Sequence, residues 1–224
     1  MDDILRSAPL FSALDEDAAN ALRSSMVEVW LERGQVLFQE GDRGDRLYVV
    51  MSGKVKLRRT SADGRENVLA IIGPGEMFGE LSIFDPGPRA STAAAITDST
   101  LLALGQAEVR AWLADRPEVA ESLLHQLAQR LRHASETMAD LVFTDVPGRV
   151  AKALLELARR FSRPEGSHVR VDHDLTQEEL AQLVGASRET VNKALADFAA
   201  RGWIRLDARS VILLDVDRLT RRAR

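Results

Sequence analysis

Leu175-Thr176-Gln177-Glu178-Glu179-Leu180-Ala181-Gln182-Leu183-Val184-Gly185-Ala186-Ser187-Arg188-Glu189-Thr190-Val191-Asn192-Lys193-Ala194-Leu195 is the most informative stretch of this 224-residue chain. Thr176 and Glu179 have the spacing of a capping box, in which two side chains satisfy backbone N–H groups at a helix start. Leu180, Ala181 and Val184 fall on one helical face behind it. Gly185 offers the left-handed backbone that a tight turn needs. Ser187 suits the cap of a second helix, whose inner side is Val191, Ala194, Leu195 and Phe198. Two short helices joined in this way predict a helix-turn-helix, whose second helix enters the DNA major groove by its N-terminal end. Arg188, Glu189, Asn192 and Lys193 then lie on the outer face. Arginine bonds guanine O6 and N7 with two prongs and glutamate accepts from cytosine N4, which suits a G·C-containing half-site. A helix pair with an ordinary solvated face fits the apolar frame too, but the Gly turn and the Ser-Arg-Glu-Thr start favour DNA reading.

On the C-terminal side, Trp203–Leu206 and Val211–Leu214 flank Asp207-Ala208-Arg209-Ser210 and predict a hairpin wing. Arg205, Arg209 and the basic tail Arg218–Arg224 offer phosphate contacts, which give affinity without sequence preference; each alone also reads as surface charge. The predicted DNA contacts are Thr176, Gln177, Ser187, Arg188, Glu189, Thr190, Asn192, Lys193, Arg205 and Arg209. On the N-terminal side, a short strand is expected at His168–Val171, a turn at Arg163–Gly166 and an amphipathic helix at Arg149–Phe161. Asp145 is its expected cap, with Pro147 in the first turn. The break Phe143–Gly148 marks a domain boundary and a candidate pivot.

Before that break, Pro117–Phe143 contains no internal Gly or Pro and reads as one helix. Ala120, Leu124, Leu127, Leu131, Ala134, Met138 and Leu141 follow an unbroken alternation of four- and three-residue steps. Such a narrow stripe is the seam of a two-stranded coiled coil, so a homodimer through residues 117–143 is expected. Packing of the helix on its own strand domain is the alternative.

Further upstream the period changes to two. Val27–Leu31, Gln35–Phe38, Arg46–Val50, Lys54–Arg58, Val68–Ile72, Thr92–Ile96 and Leu101–Leu104 read as strands, with Asp63-Gly64 as a hairpin turn. Many short strands at near-regular spacing predict a sandwich or barrel rather than a parallel sheet. Ile4 to Met26 suggests short helices capped at Ser12 or Asp15. The expected class is α+β: an antiparallel β-roll of jelly-roll type over residues 1–113, a long helix over 114–143, a hinge over 144–148 and a winged helix-turn-helix over 149–224.

Within the β-rich part, the glycine-rich run Gly73–Gly79 precedes Glu80, and a lone Arg89 follows across Asp85–Pro88. Backbone N–H groups there can approach a ligand closely. Arg89 would neutralise a phosphate and Glu80 would accept from a ribose hydroxyl. A structural Glu80–Arg89 ion pair explains the same two residues nearly as well.

Composition removes several classes. The chain is 45% hydrophobic and 29% charged with net charge −4, in the globular range. Residues 1–143 carry 15 Lys+Arg against 22 Asp+Glu, and the remainder 15 against 12, so only the C-terminal part leans toward an acidic partner. With no cysteine there is no disulfide, thiol nucleophile, Cys-ligated zinc or Cys-held iron–sulfur cluster. The four histidines, His125, His133, His168 and His173, lie outside the strand region, which argues against a cupin-type metal enzyme and leaves only Met51 and Met77 there as haem ligands. No apolar run reaches membrane-spanning length and the start lacks a signal-peptide pattern, so a cytoplasmic, non-enzymatic protein without metal or resident cofactor is expected.

Taken together, the β-rich domain, long helix, hinge and winged helix resemble the Crp–Fnr family of bacterial transcription regulators. Gly79-Glu80-Leu81-Ser82-Ile83-Phe84-Asp85-Pro86-Gly87-Pro88-Arg89, Phe143–Arg149 and Leu175–Arg205 are similar to its actinobacterial, cyclic-AMP-responsive branch. The resemblance implies a homodimer that binds a TGTGA-N6-TCACA-like palindrome, with Arg188, Glu189 and Lys193 as base readers and RNA polymerase as a further partner. It implies an effector, cyclic AMP or another cyclic nucleotide, bound by Gly79, Glu80, Leu81, Ser82, Arg89, Ala90, Ser91, Ala134 and Ser135. Gly79 and Glu80 would hold the ribose, Arg89 the cyclic phosphate, and Ala134 and Ser135 stand where two polar residues usually bond the adenine, one of them from the partner subunit. Ala134 and Ala90 lack side-chain groups the family usually has there, while Ser135 and Ser91 keep hydroxyls. A DNA-binding regulator or architectural protein that ignores nucleotide, or uses another effector, is the alternative.

Overall fold

The structure is a computed structural model and describes residues 3–8, 11 and 14–223. The chain divides into two compact units: Met1–Arg59 with Leu69–His133, and Thr60–Val68 with Ala134–Arg224. The division falls inside the long helix, short of the boundary expected at 144–148.

In the first unit, two four-stranded antiparallel sheets pack face to face. One has the order β1 (Val27–Leu31), β8 (Ser99–Gly105), β3 (Arg46–Ser52), β6 (Met77–Phe78); the other is β2 (Val36–Phe38), β7 (Thr92–Ala95), β4 (Val55–Thr60), β5 (Glu66–Ile72). Side chains alternate between the faces of a strand, and β3 uses both. Tyr48 and Val50 point between the sheets, among Leu31, Val55, Ile72, Phe78, Ala93, Ala95, Leu101 and Ala103. Leu47 and Val49 point the other way, into a second core with Leu102, Leu104 and Met77. The register Leu47↔Leu104, Tyr48↔Ala103, Val49↔Leu102 keeps the two sets apart; a one-residue slip would exchange them.

Helices cover that second core: α1 (Asp3–Ser7), α2 (Glu16–Ser24), the single turn α3 (Leu81–Phe84), α4 (Gln106–Asp115) and the start of α5 (Pro117–Phe143). Asp15 caps α2 by accepting from Ala18 N–H at 2.8 Å, as the sequence predicts; Ser12, the other expected cap, lies outside the described residues. Helix α5 has the predicted span and two apolar faces. Val119 and Leu123 are buried in the core. The seam residues Leu124, Leu131, Met138 and Leu141 are 67%, 70%, 66% and 51% exposed.

The second unit contains α6 (Val146–Phe161), α7 (Gln177–Val184), α8 (Arg188–Ala200), α9 (Val216–Arg222) and a sheet ordered β11-β12-β10-β9. Strand β10 (His168–Val171) and the wing β11 (Ile204–Asp207) and β12 (Ser210–Leu213) lie within a residue or two of their predicted bounds. Ser162–Glu165, read as part of a turn, is the edge strand β9, paired His168↔Glu165 to Val171↔Ser162. Its Ser-Arg-Pro-Glu sequence has no apolar alternation, and Pro164 is tolerated on an edge. Residues 218–222 of the basic tail lie in helix α9, capped by Asp215, anchored by buried Leu219 and carrying Arg221 and Arg222 at its C-terminal, electronegative end. β6, α3 and α4 were also unmarked in the sequence; two strand residues or one helical turn are too few to show a period, and ten-residue α4 fully buries only Val109, too little for an apolar stripe.

Candidate effector pocket and nucleic-acid interface

Arg89 is 4% exposed and Glu80 is 3% exposed. Arg89 arrives from a loop whose backbone is pinned at Arg89 N–H to Asp42 O, 2.8 Å, and at Gly41 N–H to Arg89 O, 2.9 Å. Its Nη1 donates to Gly79 O (2.8 Å) and Nη2 to Arg46 O (2.7 Å), while the guanidinium sits 4.2 Å above the Phe38 ring. Phe38, Tyr48 and Phe78 form one aromatic cluster around it. Gly79 has φ +84°, and a Cβ there would lie 2.8 Å from Arg89 Nη1, so only glycine lets the guanidinium in.

The Glu80–Arg89 ion pair, the alternative reading of these two residues, does not form. Glu80 Oε1 instead accepts from Arg130 Nη1 on α5 at 2.6 Å, and Arg130 Nη2 also donates to Met77 O. Among the described residues no carboxylate lies within 4 Å of the Arg89 guanidinium nitrogens. Burial lowers the Arg89 pKa, opposed by the nearby Tyr48, Asp45 and Glu80, and burial raises that of the Tyr48 phenol. Arginine nevertheless keeps its charge at neutral pH. At this site two buried polar atoms have no partner among the described residues: Arg89 Nε, a donor, and Glu80 Oε2, an acceptor. An orphan buried donor on a cation and an orphan buried acceptor on an anion are each costly. A molecule carrying an anionic oxygen and a hydroxyl would satisfy both.

Ser82 is buried against Gly44, where a Cβ would meet its Oγ at 2.3 Å, so it packs rather than projects. Leu81 and Ala90 are exposed and Ser91 is half-buried. Ala134 and Ser135 are exposed on α5 and belong to the second unit. Arg130, Tyr48 and Phe38 were not anticipated. Arg130 precedes the seam residue Leu131, and only its reach to Glu80, 50 residues away in sequence, identifies it.

On the second unit every expected cap is present. Thr176 Oγ1 accepts from Glu179 N–H at 3.2 Å and Glu179 Oε2 accepts from Thr176 N–H at 2.8 Å. Gly185 ends α7 at φ +70°, and Ser187 Oγ accepts from Thr190 N–H at 3.2 Å. Val191, Ala194, Leu195 and Phe198 are buried, with Phe198 stacked on Trp203 at 5.4 Å. Arg188, Glu189 and Lys193 are exposed, Asn192 is half-buried, and no protein group engages their side chains among the described residues. Thr176, Ser187 and Thr190 are exposed but used in capping; Gln177 is half-buried with an unpartnered Oε1. In the wing, Arg205 bonds Glu165 at 3.0 Å, whereas exposed Arg209 pairs with no acid among the described residues. Among the described residues, no helix is long and apolar enough to cross a membrane and no cluster of three or more His, Asp or Glu could hold a metal.

Both parts of the chain match known domain families. Residues 28–116 match the cyclic nucleotide-binding domain family and residues 148–222 the Crp-like helix-turn-helix domain family. The chain is 58% identical over 224 residues, the full length of both proteins, to the CRP-like cAMP-activated global transcriptional regulator of Mycobacterium tuberculosis. It is 39% identical over 202 residues, 90% of each chain, to the cyclic AMP receptor protein of Thermus thermophilus. Among solved structures it resembles FixK2 from Bradyrhizobium japonicum, with TM-score 0.79, 26% identity, and 88% of this chain and 96% of that one covered. The Mycobacterium relative is named as a transcriptional regulator, and this chain belongs to the CRP/FNR family of transcription regulators, with a cyclic nucleotide-binding domain and a Crp-like helix-turn-helix.

Proposed function

We propose that the chain is a homodimeric, sequence-specific DNA-binding regulator of the cytoplasm, controlled by cyclic AMP. The observation that carries the effector is the pair of buried orphans. Arg89 Nε would bond a cyclic phosphate oxygen and Glu80 Oε2 a ribose hydroxyl, in a pocket already lined by aromatic rings. Ser135 as a base contact rests on the family resemblance. Arg130 links the pocket to α5, since Glu80 cannot rearrange around a sugar without disturbing a side chain on that helix. The exposed seam of α5 supports dimerisation, and α8 would read each half of a TGTGA-N6-TCACA-like palindrome, with RNA polymerase as the downstream partner.

A ligand shifts such a regulator only by the difference in its affinity for two states. The control is a fluorescence anisotropy titration of palindromic and scrambled duplexes at one salt concentration, without nucleotide, with cyclic AMP and with cyclic GMP. Fixing salt matters because phosphate contacts make affinity steeply salt-dependent. A palindrome-specific gain with cyclic AMP supports the reading. Tight palindrome binding indifferent to either nucleotide would favour the second reading, a regulator that ignores nucleotide or uses another effector. The missing side-chain groups at Ala90 and Ala134 motivate that second reading; one lost hydrogen bond costs about 1 kcal/mol, or about fivefold in affinity.

A further inference from the structure

Gln106, the half-buried first residue of α4, joins two parts of the effector pocket. Its backbone N–H donates to Asp45 O at 2.9 Å, one step beyond the Arg46↔Gly105 pair of β3 and β8. Its side-chain Nε2 donates to Ile83 O at 3.2 Å, 23 residues back in the chain. Ile83 sits in α3, a helix of four residues, and the last carbonyls of any helix lack partners inside it. Asp85 N–H serves Leu81 O at 2.8 Å, and the Gln106 amide serves Ile83 O. At the start of the same turn stands Glu80, whose O accepts from Ile83 N–H at 2.9 Å and Phe84 N–H at 3.2 Å.

These bonds close a ring. Arg89 donates to Arg46 O and Gly79 O, Asp45 accepts from Gln106, and Gln106 returns through Ile83 to Glu80 and Gly79. Both unpartnered atoms, Arg89 Nε and Glu80 Oε2, belong to residues of that ring. Gln106 bonds neither of them and reaches Glu80 only through the turn that carries it. We propose that Gln106 is a positioning residue for the ribose half of the effector site, setting where Glu80 Oε2 stands relative to Arg89 Nε. This role rests on the proposed cyclic-nucleotide function. Whatever other positions the turn visits, a ligand that bonds both atoms selects the one that presents them together. The amide bond to Ile83 O lowers the cost of reaching that position.

Calorimetry on the full chain compares cyclic AMP with 2′-deoxy cyclic AMP, which lacks a hydroxyl for Glu80 to accept from. Gln106→Met keeps the length and loses the donor. Expected are about a fivefold fall in cyclic AMP affinity and less than about twofold for the deoxy form, so the preference between them shrinks. The retained deoxy affinity is itself the control that the variant is folded. Charged variants separate this role from a mere contribution to the start of α4. A carboxylate suits the first turn of a helix and an ammonium does not, yet Gln106→Glu faces Ile83 O with an acceptor and Gln106→Lys restores a donor. The preference for cyclic AMP should therefore fall from wild type through Gln106→Lys and Gln106→Met to Gln106→Glu. A charge felt only by the phosphate would shift both nucleotides alike. Equal losses on both nucleotides in Gln106→Met, or a preference in Gln106→Glu above that in Gln106→Lys, overturn the role. A wild type that prefers cyclic AMP, with Gln106→Met equally selective, overturns the role alone. A wild type that binds neither nucleotide overturns the effector reading, and one that binds both alike overturns its ribose contact; in either case the role falls with it.

Discussion

Charge in the β-roll and charge on α8 are placed under opposite conditions. Arg89 and Glu80 are almost wholly buried, at 4% and 3% exposure, and each keeps an unpartnered atom. Arg188, Glu189 and Lys193 stand in solvent with no partner among the described residues. An unpaired polar atom in water costs nothing, so the α8 row is informative only through the frame that aims it. A buried orphan is expensive, so its survival points to a ligand that completes it. The first site is therefore shaped for a small molecule of defined geometry, and the second for a large polyanion.

Removing the buried charge should have the largest effect. Arg89→Ala takes away the cationic half of the pocket and leaves the ligand's phosphate facing aromatic rings. Cyclic AMP affinity, measured by calorimetry, should fall at least about a hundredfold, in line with a lost charged hydrogen bond in a desolvated site. Binding to scrambled DNA should be unchanged. A titration indistinguishable from wild type would show that the orphan Nε is not a ligand atom.

The exposed row should respond more gently and only at DNA. Arg188→Ala should cost about 1–3 kcal/mol of discrimination between palindrome and scrambled duplex, the worth of one bidentate base contact. Nonspecific affinity and cyclic AMP binding should stay as they were. Equal losses on both duplexes would make Arg188 a phosphate contact instead of a base reader.

The same contrast explains what could be read in advance. The helix-turn-helix was legible because its frame is local: Thr176 and Glu179 are three residues apart, as are Ser187 and Thr190. The extent of α5 was legible from Pro117 at its start and an unbroken seven-residue repeat. The pocket was only half legible. Gly79, Glu80 and Arg89 stand out locally, but their partners Arg46 and Arg130 are 43 residues from Arg89 and 50 from Glu80, and nothing in the chain announces such pairings. The Asp-Val-Pro-Gly break after α5 is local and was legible, whereas the bond from Arg149 Nε to Val184 O spans 35 residues and was not.

Acid should separate the two units by a smaller margin. In the second unit, hydrogen bonds from Arg222 and Gly148 lower the Asp145 pKa, and those from Lys152 and Thr144 lower that of Asp140 although burial opposes them. Asp207 is lowered by its own loop N–H donor at Ala208 and by Arg170. A carboxyl lowered in the folded state contributes stability above its ordinary value near 3.8 that is lost as pH falls through the folded value. The second unit should therefore loosen first as pH drops below about 4. The Trp203 indole resonance, stacked on Phe198 in that unit, should broaden before those of Trp30 and Trp112 in the first. Simultaneous loss of all three would mean that these carboxylates do not set the order.

The smallest expected effect tests whether an exposed arginine is always available to DNA. Arg205 and Arg209 are two wing arginines four residues apart, and the sequence treats them alike. The structure does not. Arg205 belongs to a surface network in which Arg163, Arg170 and Arg205 face Glu165, Asp172 and Asp207, three cations against three anions. A phosphate approaching Arg205 would have to displace Glu165, at 3.0 Å, and would then meet the freed carboxylate. Arg209 has no such competitor. Each phosphate contact contributes about 0.9 to the slope of log affinity against log salt. Arg209→Ala should lower the slope on scrambled DNA by about that amount, and Arg205→Ala should leave it unchanged, with affinity within about twofold of wild type. Glu165→Gln sharpens the comparison, because it frees Arg205 without removing it and should make the slope steeper. If Arg205→Ala flattened the slope as much as Arg209→Ala, the Glu165 pair would be opening on DNA, and the wing network would be a reservoir of phosphate contacts rather than a neutral brace.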